Sequence, residues 1–276
     1  MRDLETISAV PLTPVTVCCA FRHSDIALWW IGRTRRGTYS MESGAVIRGY
    51  GDFVTSLLDA GFSLGGGNSE GVFSLVSWSW NEAPPYDTPV RWHTGDPETD
   101  PWEWRMRVLN ERDDIAYAKL FFKKSGYITK AWYPYFLAVR RDSRDFADEY
   151  AGGTMSHFAK RIYDVVSKNG TLPLHVIKRL GGFSREDGPA FDRALTELQM
   201  KMYLTMCGRQ QKLSRTGEEY GWSSTVFCTV EKYFGEDILE KAQELSAEEA
   251  EKEITEQIYR LNPGAEPKKI MKFIKG

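Results

Sequence analysis

Three consecutive segments carry the fold: FAKRIYDVVSKNG (Phe158–Gly170), TLPLHVIKRLGG (Thr171–Gly182) and PAFDRALTELQMKMY (Pro189–Tyr203). In the first, Phe158, Ile162, Val165 and Val166 recur at helical spacing and Asn169-Gly170 ends the run. In the second, Pro173 suits the first turn of a short helix that Gly181-Gly182 stops. In the third, Phe191, Leu195, Leu198 and Met202 form one stripe, which turns Arg193, Thr196, Glu197 and Met200 outward. Tyr203 to Cys207 then reads as a strand, Gly208 to Trp222 as a polar loop, and Ser223 to Thr229 as a second strand. Three helices followed by a β-hairpin is the order of a winged helix, expected here over residues 151–235. The fold class expected for the chain is mainly α with small β-hairpins (α+β), a winged helix with a tandem copy before it.

Upstream, Asp52 is placed to cap a helix in which Phe53, Val54, Leu57 and Leu58 recur until Gly61. A glycine-rich loop (Gly65-Gly66-Gly67-Asn68) precedes a strand-like run from Gly71 to Trp80. Five prolines make residues 81–101 irregular. Asp113 or Asp114 is expected to cap a helix running to Ser125 and closed by Gly126, and Thr129 to begin another around Trp132 to Arg141. Residues 46–150 thus read as a basic, Trp-rich helical module, expected as a degenerate winged helix. Downstream, residues 236–276 read as one acidic amphipathic helix, Glu236 to Leu261, with Ile238, Leu245, Ile254 and Ile258 on its apolar side, and a basic tail after Pro263. Residues 1–45 lack periodicity and read as an extension of uncertain structure. Met41 at their end makes an upstream start-codon artefact one expectation, which a native N-terminus at Arg2, found by mass spectrometry, would reject.

Composition narrows the function classes. The 276 residues carry 36 Lys+Arg against 38 Asp+Glu and only four Cys, which excludes a disulfide framework. Forty-two per cent hydrophobic residues at a net charge of −2 exclude disorder as the main state. That total is a cancellation: net −6 over residues 46–100, +6 over 118–144, +4 over 151–234 and −6 over 236–261. Six of nine Trp fall between Trp78 and Trp132, either as packed core or as a platform for stacking bases. No apolar run is long enough to span a membrane, and Pro11 and Pro14 interrupt the first one, so neither membrane nor signal peptide is expected and the location reads as cytoplasmic. The sequon Asn169-Gly170-Thr171 has no glycosylation meaning there.

Cations on a hinged wing suit phosphate contacts and predict salt-sensitive binding. The candidate DNA-binding residues are Arg209, Gln211, Lys212 and Arg215 on the wing, Arg193 on the third helix, and Lys123, Lys124, Arg140 and Arg141 from the +6 stretch. Beside Arg193, Glu197 would repel phosphates and Met200 reads no base edge specifically, so little sequence specificity is expected. Gly61-Phe62-Ser63-Leu64-Gly65 matches a nucleophile elbow, but with helix before and loop after, the reverse of the context that exposes the serine. Asp96 to Asp100 reads as an acidic turn, since Pro97 breaks a calcium-loop pattern. No zinc spacing, Walker A or G-x-G-x-x-G occurs, so no metal or cofactor is expected.

The run from Gly208 to Trp222, with Phe191–Met200 before it, resembles the AlkZ-related winged-helix proteins of bacteria, as do Ala116–Lys124 and Trp132–Phe136. The resemblance spans about residues 48–235. The AlkZ family proper consists of tandem winged-helix DNA glycosylases that release alkylated or crosslinked bases, using a Q-x-Q or Q-x-D pair. None of Gln199, Gln210, Gln211, Gln243 and Gln257 has Gln or Asp two positions on, so the resemblance implies the DNA-binding architecture and assigns no catalytic residue. The leading expectation is DNA as partner. A glycosylase with a non-standard active site and a protein-interaction winged helix are the alternatives.

Overall fold

A computed structural model describes residues 46–213 and 218–276; residues 1–45 and Arg215 lie outside them. The described residues belong to one compact unit, Ala45–Gly276. The unit is a mixed α/β body around a single six-stranded antiparallel sheet, richer in strand than the sequence suggests.

Helix α1 (Tyr50–Ala60) buries Phe53, Val54 and Leu57, as the spacing predicts. It starts three residues early, with Gly49 at the cap position, and the Asp52 carboxylate accepts the Arg48 N–H instead of capping. Gly61 ends it at φ 89°, where a Cβ would collide with the Trp132 ring. Strand β1 (Phe62–Leu64) follows, and Ser63 is fully buried there, its hydroxyl donating to the Leu64 carbonyl and accepting the Leu75 N–H. A hydroxyl so enclosed cannot act as a nucleophile.

The run from Gly71 to Trp80 is not a strand. Val72, Val76 and Trp78 are buried, but the backbone is joined by single bonds, from the Leu64 N–H of β1 to Phe73 and from the Gly67 N–H of the glycine-rich loop to Val76. Residues 81–100 are irregular, as the prolines require. Helix α2 (Pro101–Glu111) then begins on Asp100, whose buried carboxylate accepts the amides of Trp102, His93 and Gly95.

The helix expected from Asp113 to Ser125 is a β-hairpin, β2 (Ile115–Phe121) and β3 (Lys124–Thr129). Nearly every residue of β2 is buried, so no alternation shows in the sequence. The turn is Phe122-Lys123, both at positive φ (52° and 61°), where a hairpin signal normally requires Asn or Gly. Strand β1 pairs with β3, Phe62 opposite Ile128.

Helix α3 (Tyr133–Arg141) carries Pro134 in its first turn, as predicted, and α4 (Phe146–Ala151) follows with a capping box on Asp145. The segments quoted at the outset form α5 (His157–Asn169), α6 (Leu174–Leu180) and α7 (Gly188–Met200), with a two-residue strand β4 (Leu172–Pro173) between the first two. Phe191, Leu195, Leu198 and Met202 are buried. The polar stretch expected as a loop is instead most of a long hairpin, β5 (Leu204–Leu213) and β6 (Glu219–Thr229). Its outer part is solvated, which removes the period-2 pattern. Strand β4 pairs with β6 and β2 with β5, giving the order β1-β3-β2-β5-β6-β4.

After α8 (Val230–Phe234), the acidic helix expected as one piece is two, α9 (Asp237–Gln243) and α10 (Ala247–Leu261), because Ser246 and Glu249 form a capping box that starts a new helix. The basic tail is a further helix, α11 (Pro267–Lys275). It buries Ile270, Phe273 and Ile274, with Phe273 stacked on Phe121 at 3.8 Å. Three apolar clusters fill the body, and Met206 of β5 packs against all of them.

Candidate nucleic-acid interface

The outward face of α7 is as predicted, but it looks into a groove rather than open solvent. Arg193, Thr196, Glu197 and Met200 form one wall of a recess of about 620 Å³. Lys119 of β2, Lys123 of the β2–β3 turn, Lys201 and the end of α11 at Lys275 and Gly276 complete it. Five cations thus face two carboxylates, Asp192 and Glu197.

The cations differ in how far they are engaged. Lys201 pairs with the buried Glu149, which Thr154 also donates to, and these contacts hold the Glu149 carboxyl low against the opposing effect of burial. Lys275 lies 3.4 Å from Glu251, and Lys119 Nζ reaches the Thr196 hydroxyl at 3.4 Å. Lys123 and Arg193 have no ion pair among the described residues. Glu197 is half-buried, with no hydrogen-bond partner for its carboxylate there. Burial pushes its carboxyl above the usual range, Lys201 opposes this, and Glu149 adds to it.

Of the sequence-predicted residues, the fold brings Lys123 and Arg193 together. Lys124 points to the other side of the turn and pairs with Glu70 at 2.6 Å. Arg209 lies in a separate recess of about 370 Å³ over α2, 3.8 Å from Glu103 and beside Glu98 and Glu111. Gln211 and Lys212 sit on the outer hairpin. Sequence reasoning missed Lys119, Lys201 and Lys275, the first because β2 reads as a helix.

Arg140 and Arg141 must be withdrawn from the interface, because both are buried. Arg140 donates to Ile274 and Leu120 at 2.8 Å, Met200 at 2.7 Å and Phe273 at 2.9 Å, all carbonyl oxygens. Three of these are orphan carbonyls at the ends of α7 and α11, so one guanidinium satisfies two helix termini and ties them to β2. It fixes the walls of the groove without lining it. Arg141 pairs with Glu231 at 2.9 Å and donates to the Met202 carbonyl.

Gln199 and Gln257 are also structural. The Gln199 amide oxygen accepts the Lys119 N–H at 3.0 Å and its nitrogen donates to Leu195, while Gln257 donates to the Ala60 carbonyl at the end of α1. Among the described residues no helix is long and apolar enough to cross a membrane, and no group of His, Cys, Asp and Glu is placed to hold a metal ion.

Residues 47–275 match the family described as AlkZ related. Comparison with the curated proteins and with the solved structures finds no match. The match takes in every helix and strand described above, from α1 to α11, and the chain belongs to the AlkZ-related family.

Proposed function

We propose that the protein binds duplex DNA with little sequence specificity, as a relative of DNA-repair glycosylases. The carrying observation is the convergence of Lys119, Lys123, Arg193, Lys201 and Lys275 on the outward face of α7. The order α5, β4, α6, α7, β5, β6, with the short β4 paired to β6, supports reading residues 151–235 as a winged helix. The order α1, β1, α2, β2, β3, with β1 paired to β3, supports a degenerate second one, in which the irregular residues 65–100 stand in place of a middle helix. The recess over α2 is lined by Glu98, Glu103 and Glu111 against Arg107 and Arg209, so its charge opposes phosphate and leaves α7 and the outer hairpin to make the contacts.

Fluorescence anisotropy with a labelled duplex tests this. Binding should weaken with salt, with a log–log slope of about −4 to −5 if all five groove cations meet phosphates. Lys119→Ala with Arg193→Ala should lower affinity at least tenfold, and Lys212→Ala with Arg215→Ala should lower it further. Absence of binding at low salt, or indifference to both pairs, overturns the proposal.

One observation favours a catalytic second reading. Glu197 lines the cationic groove, half-buried and with no hydrogen-bond partner for its carboxylate among the described residues, the situation of a carboxylate able to orient water toward a sugar carbon. Release of free base from alkylated duplex, abolished in Glu197→Gln with binding retained, would support it. Release no greater than without protein rejects it.

A further inference from the structure

The outer hairpin contains an irregularity that the DNA-binding reading does not use. Gln210 stands opposite Ser224 and Lys212 opposite Tyr220, so Gly221, Trp222 and Ser223 of β6 face Gln211 alone. This three-against-one bulge is held in place. Gly221 takes φ 63°, and the Gln211 side-chain amide donates to the Gly221 carbonyl at 2.8 Å. The bulge aims Trp222 out of the sheet, and its side chain is 90% exposed, the most exposed large hydrophobic residue among the described ones. Tyr220, two residues before it, is also exposed.

A solvent-facing indole does nothing for the fold, and the bulge that presents it is braced by a dedicated side chain. Its surroundings are polar: Gln210, Gln211 and Lys212 on one strand, Ser223 and Ser224 on the other. A protein partner covering Trp222 would need an apolar patch around it to form the core of the interface, and Tyr220 is the one other large exposed apolar residue of the described hairpin. A nucleobase needs only the flat ring face, with cations beside it for the phosphates. Lys212 supplies one such charge.

We infer that Trp222 is a stacking wedge for DNA whose base stack is already broken, at an abasic site, a mismatch or a bulged base. The indole fills the gap in the stack while Lys212 engages a flanking phosphate. An intact duplex offers no such gap, because opening a base step costs unstacking energy that a damaged step has already lost. This rests on the DNA-binding reading and adds to it a preference for a type of lesion.

The test uses the full chain, with labelled duplexes of one sequence, intact or carrying a single tetrahydrofuran abasic site. The wild type should bind the abasic duplex roughly tenfold more tightly, the scale of one aromatic–base stack. Trp222→Ala should bring that ratio close to one while leaving intact-duplex affinity unchanged, and Trp222→Tyr should keep part of it. Lys212→Ala should weaken binding to both duplexes alike. Circular dichroism of each variant should match the wild type, since the side chain is outside the core. A wild type that binds both duplexes equally, or a Trp222→Ala variant that keeps the ratio, overturns the wedge while DNA binding stands. A wild type that binds neither duplex removes both.

Discussion

Two charged residues show how differently burial acts on charge in this protein. Arg140 is enclosed by four carbonyl oxygens, and burial lowers its pKa to about 9, so it remains charged at neutral pH and fully hydrogen-bonded. Glu197 is half-buried with no such shell, and its carboxyl is raised. A carboxyl whose native pKa lies above its unfolded value holds its proton more tightly in the folded state. Its contribution is therefore most favourable below the ordinary glutamate value of about 4.5 and is lost as pH rises through the raised native value. Glu197→Gln mimics the protonated form. It should melt at or above the wild-type temperature at pH 7, with the gap closing as pH falls toward 4, the range about the unfolded pKa. A variant less stable than wild type at pH 7 would show that Glu197 holds the fold together. None of this was legible in the sequence. Arg140 and Arg141 count as surface charge in any tally by region, and only the packing of α11 over Arg140 and of α8 and the end of α7 over Arg141 shows that they are internal.

At the scale of elements, legibility followed the periodicity. Helices α5, α6 and α7 each bury one face against one cluster, so their apolar spacing, capping and stops agree, and the prediction holds to within a residue or two. The β2–β3 hairpin failed because burial on both faces hides alternation and because its turn residues are the wrong ones for the turn. Lys123 at φ 61° carries a Cβ where glycine is favoured, and it is also a groove cation. Lys123→Gly should therefore raise stability by about 1 kcal/mol through relief of the left-handed backbone. The same change should weaken DNA binding and reduce the salt slope by about one. Thermal melts and anisotropy on the same samples read both effects. A loss of stability would mean that the Lys123 side chain contributes packing that outweighs the strain. The β5–β6 hairpin failed for the opposite reason, since a hairpin whose outer part is exposed on both faces reads as polar loop, and the Trp222 bulge within it cannot be seen before the register is known.

For the whole molecule, the two halves share one sheet through the meeting of β2 and β5 at Tyr117 and Met206. The bridge is short, and what surrounds it does much of the joining. Gln199 satisfies the Lys119 N–H beside it, the Tyr233 hydroxyl donates to the Ile115 carbonyl at 2.8 Å, and Met206 touches all three clusters. A flexible thioether suits a position where three packings meet. Met206→Ala should cost about 2 kcal/mol, the low end for a methionine that is only partly buried. Calorimetry should still show one transition in that variant; two separated transitions would mean that the clusters unfold independently once the thioether is gone.

The joined sheet has a further consequence for dissection. Separating the halves would strip β2 and β5 of one neighbour each and turn both into edge strands, with backbone groups facing water next to apolar side chains that no longer have a cover. Each fragment would carry a sticky edge able to recruit a strand from another molecule. The piece that can be excised as a soluble unit is therefore the pair of halves together with α11, and either half made alone should polymerise edge to edge instead of remaining a small, independent DNA-binding module.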